Sequence, residues 1–421
     1  MGPGYDGVYV VGCGQTPYEK RTEKPVQRLI WEACDLALRS AGLGFRDVDG
    51  LGVTCFTLGP DNVTTMAEHM GIECRWLFQG LYGGASGISG MLQAARAIQH
   101  GDAEVVVIVA ADAFDVSSHM SMNRNPGQHD YMGPWGYGAA NGVFAMQTRL
   151  YMQEFGATRE DFGRLCIAQR RNAMLNPNAL LRTELTMEDY LNARPIADPL
   201  RLFDCVLPGC GADTVVLASE AVAKRLGVPR IRLLGGGERH NTPAGDIYAL
   251  SAGWETFRDR MWKAAGVLPA EMDFVQLYDD YPVMEFIQLE GMGFAPRGGA
   301  GRLIREKGAT VRDGLPINTG GGQLSAGQCG ASGGMIGVYE AVLQLRHEAG
   351  ARQVAGCACS AAWRQAVAST SISRASAARI AAAGICGGRR CRAAAPSAPG
   401  RWCAGRSTPP SSRTRPMPSW P

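Results

Sequence analysis

Apolar residues along this chain follow two alternating rhythms: short unbroken β-branched runs, and stripes spaced three or four residues apart. Residues 8–13, Val-Tyr-Val-Val-Gly-Cys, read as a buried first strand. Between 25 and 41, Leu29, Ile30, Ala33, Leu36 and Ala37 mark one side of a helix that Gly42 closes. Residues 48–56 predict a second strand and 88–98 a second helix, ended by Gly101-Asp102. From Val105 to Ala111 no polar residue occurs, as in a strand covered on both faces. Strand–helix alternation of this kind implies β-α-β units and an α/β fold.

From 114 to 205 the rhythm changes. Asn125-Pro126-Gly127, Met132-Gly133-Pro134 and Asn176-Pro177-Asn178 are turn signals around two helical pieces, 144–155 and 159–173. This stretch reads as an insertion over the core, and a strand at 213–217 closes the first half. The second half repeats the grammar. It predicts strands at 231–234 and 274–277, helices at 254–265, 283–291 and 335–345, and a Gly-rich loop after Leu315-Pro316-Ile317-Asn318-Thr319. One tetrapeptide recurs: Gly84-Ala85-Ser86-Gly87 and Gly330-Ala331-Ser332-Gly333 each precede a long apolar helix. Two such junctions in successive halves point to a duplicated fold.

Composition changes the picture at one place, the C-terminus. The formal net charge is +3, but residues 357–421 hold ten Arg and no Asp, Glu or Lys; without them 32 basic and 39 acidic residues leave −7. A nucleic-acid-binding reading therefore loses its basis. No 3.6 or 2.0 period persists in that tail. A disordered basic tail, an unrecognised domain and a frame-shifted translation of a GC-rich gene all fit it, and the tail is expected to be poorly ordered. The boundaries read as 1–225, 226–356 and 357–421. No apolar run approaches the roughly 20 residues needed to span a bilayer, and the polar N-terminus lacks a secretory pattern, so a cytoplasmic location is expected. The 13 Cys are odd in number and lack metal-ligand spacing, which suits free buried thiols. Six dispersed His predict no metal cage and no bound cofactor.

Three segments together carry a family resemblance. Gly83-Gly84-Ala85-Ser86-Gly87 with its helix and following strand resembles the nucleophile loop of the thiolase superfamily. Leu277-Tyr278-Asp279-Asp280-Tyr281 resembles the His-Asp-Cys-Phe motif of sterol-carrier-type thiolases, and residues 321–328 resemble the Gly-Gly…Gly-His-Pro motif. The similarity runs from Val8 to about Gln353. It implies a duplicated thiolase fold, layered α-β-α-β-α with two mixed sheets around central helices, acting on coenzyme A thioesters. It also implies a homodimer and, in one branch, a small OB-fold, zinc-ribbon partner.

The departures matter more than the matches. Gly84 stands where a thiolase has its nucleophilic Cys, Tyr278 where it has His, and Gln328 most simply where the last motif has His. This pattern is similar to the lipid-transfer aldolases, which cleave β-hydroxyacyl-CoA compounds. A Claisen thiolase needs an activated thiolate. A retro-aldol step needs only a base for the hydroxyl and donors for the leaving enolate. Tyr278 then accepts or relays the proton, either with its pKa lowered from about 10 or as a hydrogen-bond relay, and Asp279 orients it. The competing reading makes Tyr278 a packing residue and Asp279 and Asp280 helix caps before Pro282. The amides of Gly83, Gly84, Gly321 and Gly322, with the Gln328 side chain, are the candidate enolate donors. Ser86 is a small packing residue or part of that loop, and Cys329 a displaced thiol or a buried hydrophobe. Two further functions stay open: an acyltransferase using another Cys, and a noncatalytic thioester-binding subunit. Met120, Met122, Tyr131, Met132, Trp135 and Tyr137 are a candidate acyl cover or a loop core.

Overall fold

A computed structural model describes residues 4–114, 134, 139–240, 250–251, 253–357 and 367–371. The proposed acyl cover lies outside them, as does nearly all of the tail.

The run 105–111 sits at the centre of a six-stranded mixed sheet. Its strands are β1 (Val8–Gln15), β2 (Gly50–Thr54), β3 (Trp76–Gln79), β4 (Val105–Ala113), β7 (Cys210–Ser219) and β8 (Ile231–Arg232), in the order β3-β2-β4-β7-β1-β8. β2 is parallel to β3 and β4, whereas β7 is antiparallel to both β4 and β1. The pleat divides β4 between two cores. Val105, Val107, Val109 and Ala111 face α1 (Val26–Ser40) and α2 (Val63–Met70), while Val106, Ile108 and Ala110 face α3 (Ser86–His100). That two-sided burial is why the run carries no polar alternation.

Between β4 and β7 lie α4 (Ala139–Phe155), α5 (Arg159–Met174), α6 (Met187–Asn192) and the short strands β5 (Pro195–Ala197) and β6 (Leu200–Arg201). They form more than a cover. Phe144, Tyr151 and Phe162 share one hydrophobic core with Trp254, Phe286 and Leu324 from the second half. Tyr151 and Phe162 both pack their rings on Phe286, at centroid separations of 5.8 and 4.8 Å. Phe286→Ala should therefore loosen both segments together, at a cost of about 3–5 kcal/mol, read from a single urea transition.

After β7 come α7 (Glu220–Leu226), β9 (Gly236–His240), α8 (Arg258–Ala265), α9 (Pro282–Gly291), α10 (Ala300–Lys307), α11 (Gly322–Ala326) and α12 (Met335–Leu345). α12 and α3 lie on the same face of the sheet, through Met335, Val338 and Ala341 from one and Met91, Ala94 and Ala95 from the other. The expected second mixed sheet is only partly seen among the described residues. β9 pairs in parallel with β10 (Val367–Ser371), so the tail contributes one described strand where the sequence predicts poor order. The strand expected at 274–277 is reduced to one bridge, Val275 with Ile317. An apolar run alone does not make a strand; it needs a ladder partner, and here only one residue supplies it.

Candidate active site

The two recurring tetrapeptides meet. The Cβ direction of Gly334 points straight at the carbonyl oxygen of Gly84, leaving no room for a side chain, and that of Gly87 points at Met335, the first residue of α12. Helices α3 and α12 thus start side by side, with their glycine runs in contact. Small residues are required at both junctions because backbone approaches backbone.

Tyr278 lies against this junction. A Cβ on Gly84 would stand 2.5 Å from the Tyr278 hydroxyl and 2.8 Å from its ring, and a Cβ on Gly333 would stand 3.5 Å from the same hydroxyl. The phenol therefore fills the space that a side chain at position 84 would take. The Tyr278 peptide is fixed by α9: its N–H donates to Gln288 Oε1 at 3.0 Å, and Gln288 Nε2 donates to its carbonyl at 2.6 Å. The Asp280 carboxylate, the charge that acts most strongly on the Tyr278 hydroxyl, accepts from Gln328 Nε2 at 2.5 Å. The Gln323 amide completes the group, 3.1 Å from that of Gln328.

Electrostatics separates the two roles considered for Tyr278. Burial, then the Asp280 carboxylate, push its pKa well above the usual tyrosine value. A resting phenolate base is disfavoured, and a hydroxyl that passes a proton along is favoured. Burial and the nearby Asp279 raise the Asp280 carboxyl to about 7, against the hydrogen bonds from Tyr278 and Gln328.

Several sequence assignments move. Asp279 does not orient the phenol; its carboxylate accepts from the Gln323 and Leu324 N–H groups at 2.9 and 3.0 Å, across the loop. Nor do Asp279 and Asp280 cap the helix before Pro282, because α9 starts at Pro282 after Tyr281 with no side-chain cap. Gly322 shapes the seat of Asp279, and Gly321 packs against Ala173. The Gly321 N–H is already bound to the Asn318 carbonyl at 2.8 Å, and a Cβ on Gly322 would overlap the Asp279 carboxylate. The Gln328 side chain faces Asp280 and Gln323, not an open donor position. Ser86 is buried and staples its own loop, donating to the Gly83 carbonyl at 2.6 Å and accepting from the Tyr82 N–H at 3.1 Å. Cys329 is buried beside Tyr18, Ala173 and Ile336, and burial followed by the Asp213 carboxylate holds its thiol well above the usual value. A thiolate there is disfavoured.

The loop that does reach the phenol is 330–334, whose repeat is legible in sequence but whose contact is not. Two buried carboxylates hold it from beneath. Asp112, at the end of β4, accepts from the N–H of Phe56 at 2.9 Å, of Thr57 at 2.8 Å and of Ala331 at 2.6 Å. Asp213, on β7, accepts from Gln15 at 2.6 Å, Tyr18 at 2.5 Å and the Ser332 hydroxyl. Burial raises Asp112, Asp213 and Asp279 to about 6 each. The unfolded carboxyls titrate near 3.9, so between those values the folded chain binds more protons than the unfolded one. Their contribution to stability falls as pH rises through about 6. The urea midpoint should therefore increase when pH is lowered from 7 to 5, and a decrease over that window would count against the assignment. Asp279→Ala should cost on the order of 1–3 kcal/mol by stranding two buried amides, and Asp279→Asn, which keeps an acceptor, should cost less in the same urea titration.

A cavity of about 1090 Å³, lined by Trp262, Leu268, Phe294 and Arg297 among others, lies between α8 and the end of α9. It shares no residue with the Tyr278 group. Among the described residues there is no cluster of His, Cys, Asp and Glu able to hold a metal ion, and no helix long and apolar enough to cross a membrane.

Residues 248–378 match the family model "Thiolase C-terminal domain-like". Over 360 residues the chain is 33% identical to the 17-hydroxy-3-oxo-4-pregnene-20-carboxyl-CoA lyase of Mycobacterium tuberculosis, covering 80% of this chain and 91% of that one. It is 30% identical over 358 residues to a steroid side-chain-cleaving aldolase of Thermomonospora curvata, covering 80% and 90%. The solved "Ltp2-ChsH2(DUF35) aldolase" superposes with a TM-score of 0.74 at 31% identity, over 84% of this chain and 93% of that one. The paired glycine junctions and these similarities agree: the chain belongs to the thiolase superfamily, in its sterol-carrier and lipid-transfer branch.

Proposed function

We propose that this protein is a thiolase-superfamily lyase that cleaves a β-hydroxyacyl-CoA by a retro-aldol step, with the Tyr278 hydroxyl relaying the proton. The observation that carries this reading is the contact between Gly84 and Tyr278: the phenol occupies the place where the superfamily keeps a sulfur nucleophile. Acyl-CoA is the substrate class; the lyase and aldolase names of the relatives support carbon–carbon cleavage. In the step, the β-hydroxyl proton passes to the Tyr278 oxygen as the phenol hands its own proton onward, the carbon–oxygen bond becomes a carbonyl, and the Cα–Cβ bond breaks. Its electron pair forms the thioester enolate, which takes a proton at Cα. The products are a ketone or aldehyde and a shortened acyl-CoA. Backbone amides at the junction of 83–84 with 330–334 are the nearest candidates for the enolate oxygen, at a helix start where the dipole favours negative charge.

The recurring tetrapeptides support duplication of one half-fold, with 1–225 and 226–356 as its halves. A homodimer and a small OB-fold, zinc-ribbon partner belong to the same proposal. Similarity to the solved Ltp2-ChsH2(DUF35) aldolase, whose name joins two components, supports the second.

The test is a product assay. A β-hydroxyacyl-CoA should yield a carbonyl compound and a shortened acyl-CoA, and a β-ketoacyl-CoA with free CoA should yield none. Cleavage of the ketoacyl compound alone would replace the lyase reading with an acyltransferase one.

A further inference from the structure

Four carboxylates surround the two glycine junctions, and three are committed to holding loops. Asp279 serves the Gln323 and Leu324 amides, Asp112 the Phe56, Thr57 and Ala331 amides, and Asp213 the Gln15, Tyr18 and Ser332 side chains. Asp280 differs. Its hydrogen-bond donor is a side chain, Gln328 Nε2 at 2.5 Å, the Tyr278 hydroxyl is its electrostatic neighbour, and it keeps partial exposure while Asp279 beside it is fully buried. We propose that Asp280 is the proton acceptor at the end of the site's relay, taking the Tyr278 hydroxyl proton as Tyr278 takes that of the substrate hydroxyl, with Gln328 fixing the carboxylate. The inference rests on the retro-aldol reading and adds the group that closes its proton balance. One proton leaves the substrate oxygen, one moves from Tyr278 to Asp280, and the proton on Asp280 returns through the phenol or leaves through solvent as Cα is protonated.

Charge around Asp280 suits this role. Tyr278, Asp279 and Tyr281 face it from its own segment, and the neutral amides of Gln328 and Gln323 face it from the opposite loop. None of these is a cation. A protonated His at position 328 would hold the Asp280 carboxyl low and make it a poor acceptor; the Gln amide donates without that penalty. The carboxyl at about 7 is then half-ionised near neutral pH, where a general base is most effective. Asp280 acts through Tyr278 and is a positioning and proton-holding residue.

Two measurements on the full chain decide it. In kcat/KM profiles between pH 5 and 9, the wild type should rise through a limb near 7. Asp280→Asn should lose at least about 100-fold together with that limb, and Asp280→Glu should keep a weakened limb, which a purely structural role would not produce. Infrared titration of the unliganded protein should show a carboxyl near 7 that is missing in Asp280→Asn. An Asp280→Asn enzyme with wild-type turnover and limb overturns the inference and leaves the lyase reading standing. So does a wild type without that carboxyl. A wild type that shows the carboxyl but cleaves no β-hydroxyacyl-CoA overturns the lyase reading instead, and the relay with it.

Discussion

Tyr278→Phe is expected to lower turnover of a β-hydroxyacyl-CoA by about 10²–10⁴-fold while leaving thioester binding and the unfolding midpoint nearly unchanged. The Phe ring keeps the packing against Gly84. What disappears is the hydroxyl, and with it the link to Asp280. The loss should fall on kcat more than on KM, because the proton moves only in the reacting complex. Steady-state kinetics beside calorimetric titration with a nonreactive CoA thioester would check it. Turnover within about threefold of wild type would remove Tyr278 from the chemistry, since the relay supplies at least a factor of 10².

Gly84→Ala should be the more damaging change to the molecule as a whole. The added Cβ falls 2.5 Å from the Tyr278 hydroxyl and 2.8 Å from its ring. Relief is poor on either side, because Gln288 clamps the Tyr278 peptide and the Gly84 carbonyl abuts Gly334. The expected cost is about 1–3 kcal/mol of stability, with activity lost as the phenol is pushed from the junction. Gly84→Cys should behave the same way and should not create a thiolase, because its sulfur would compete with the phenol for one space. The double change Gly84→Ala/Tyr278→Ala should be less destabilised than the sum of the single changes, by about 0.5–3 kcal/mol of coupling. Additive losses in the urea cycle would mean that the two positions do not share that space.

The elements with a strong period were legible in sequence. The unbroken run 105–111 marks a central strand, and the stripe at Leu29, Ile30, Ala33, Leu36 and Ala37 gives α1 nearly to its ends, although Leu36 itself is exposed. Repetition of Gly-Ala-Ser-Gly foretells two helix starts of one kind, and the structure brings them into contact. Periodicity reports which face is buried, not what lies across from it. That is why the strand expected at 274–277 survives only as a bridge to Ile317. α10, α2 and β3 are eight residues or fewer, too short for a period of their own to stand out.

The site was legible in position and only partly in role. Tyr278 and Gly84 stand out because residue type departs from the motif there. Their contact across nearly two hundred positions does not. The carboxylates divide differently from what adjacency suggests. Asp279 and Asp280 are neighbours in sequence, yet one caps the loop at 322–324 and the other faces the phenol. Asp112 and Asp213 sit in apolar strands and carry no local signal; only the amides and hydroxyls that converge on them give them meaning. Cys329 follows Gln328 directly, but its side chain turns into the packing around Tyr18.

Intact-protein mass spectrometry of acid-quenched single turnovers tests most directly whether a phenol has replaced sulfur here. With a β-hydroxyacyl-CoA in the presence of excess protein, the protein mass should stay unmodified at every time point while the carbonyl product and shortened acyl-CoA accumulate. A transient adduct of acyl mass, on any cysteine, would contradict the account.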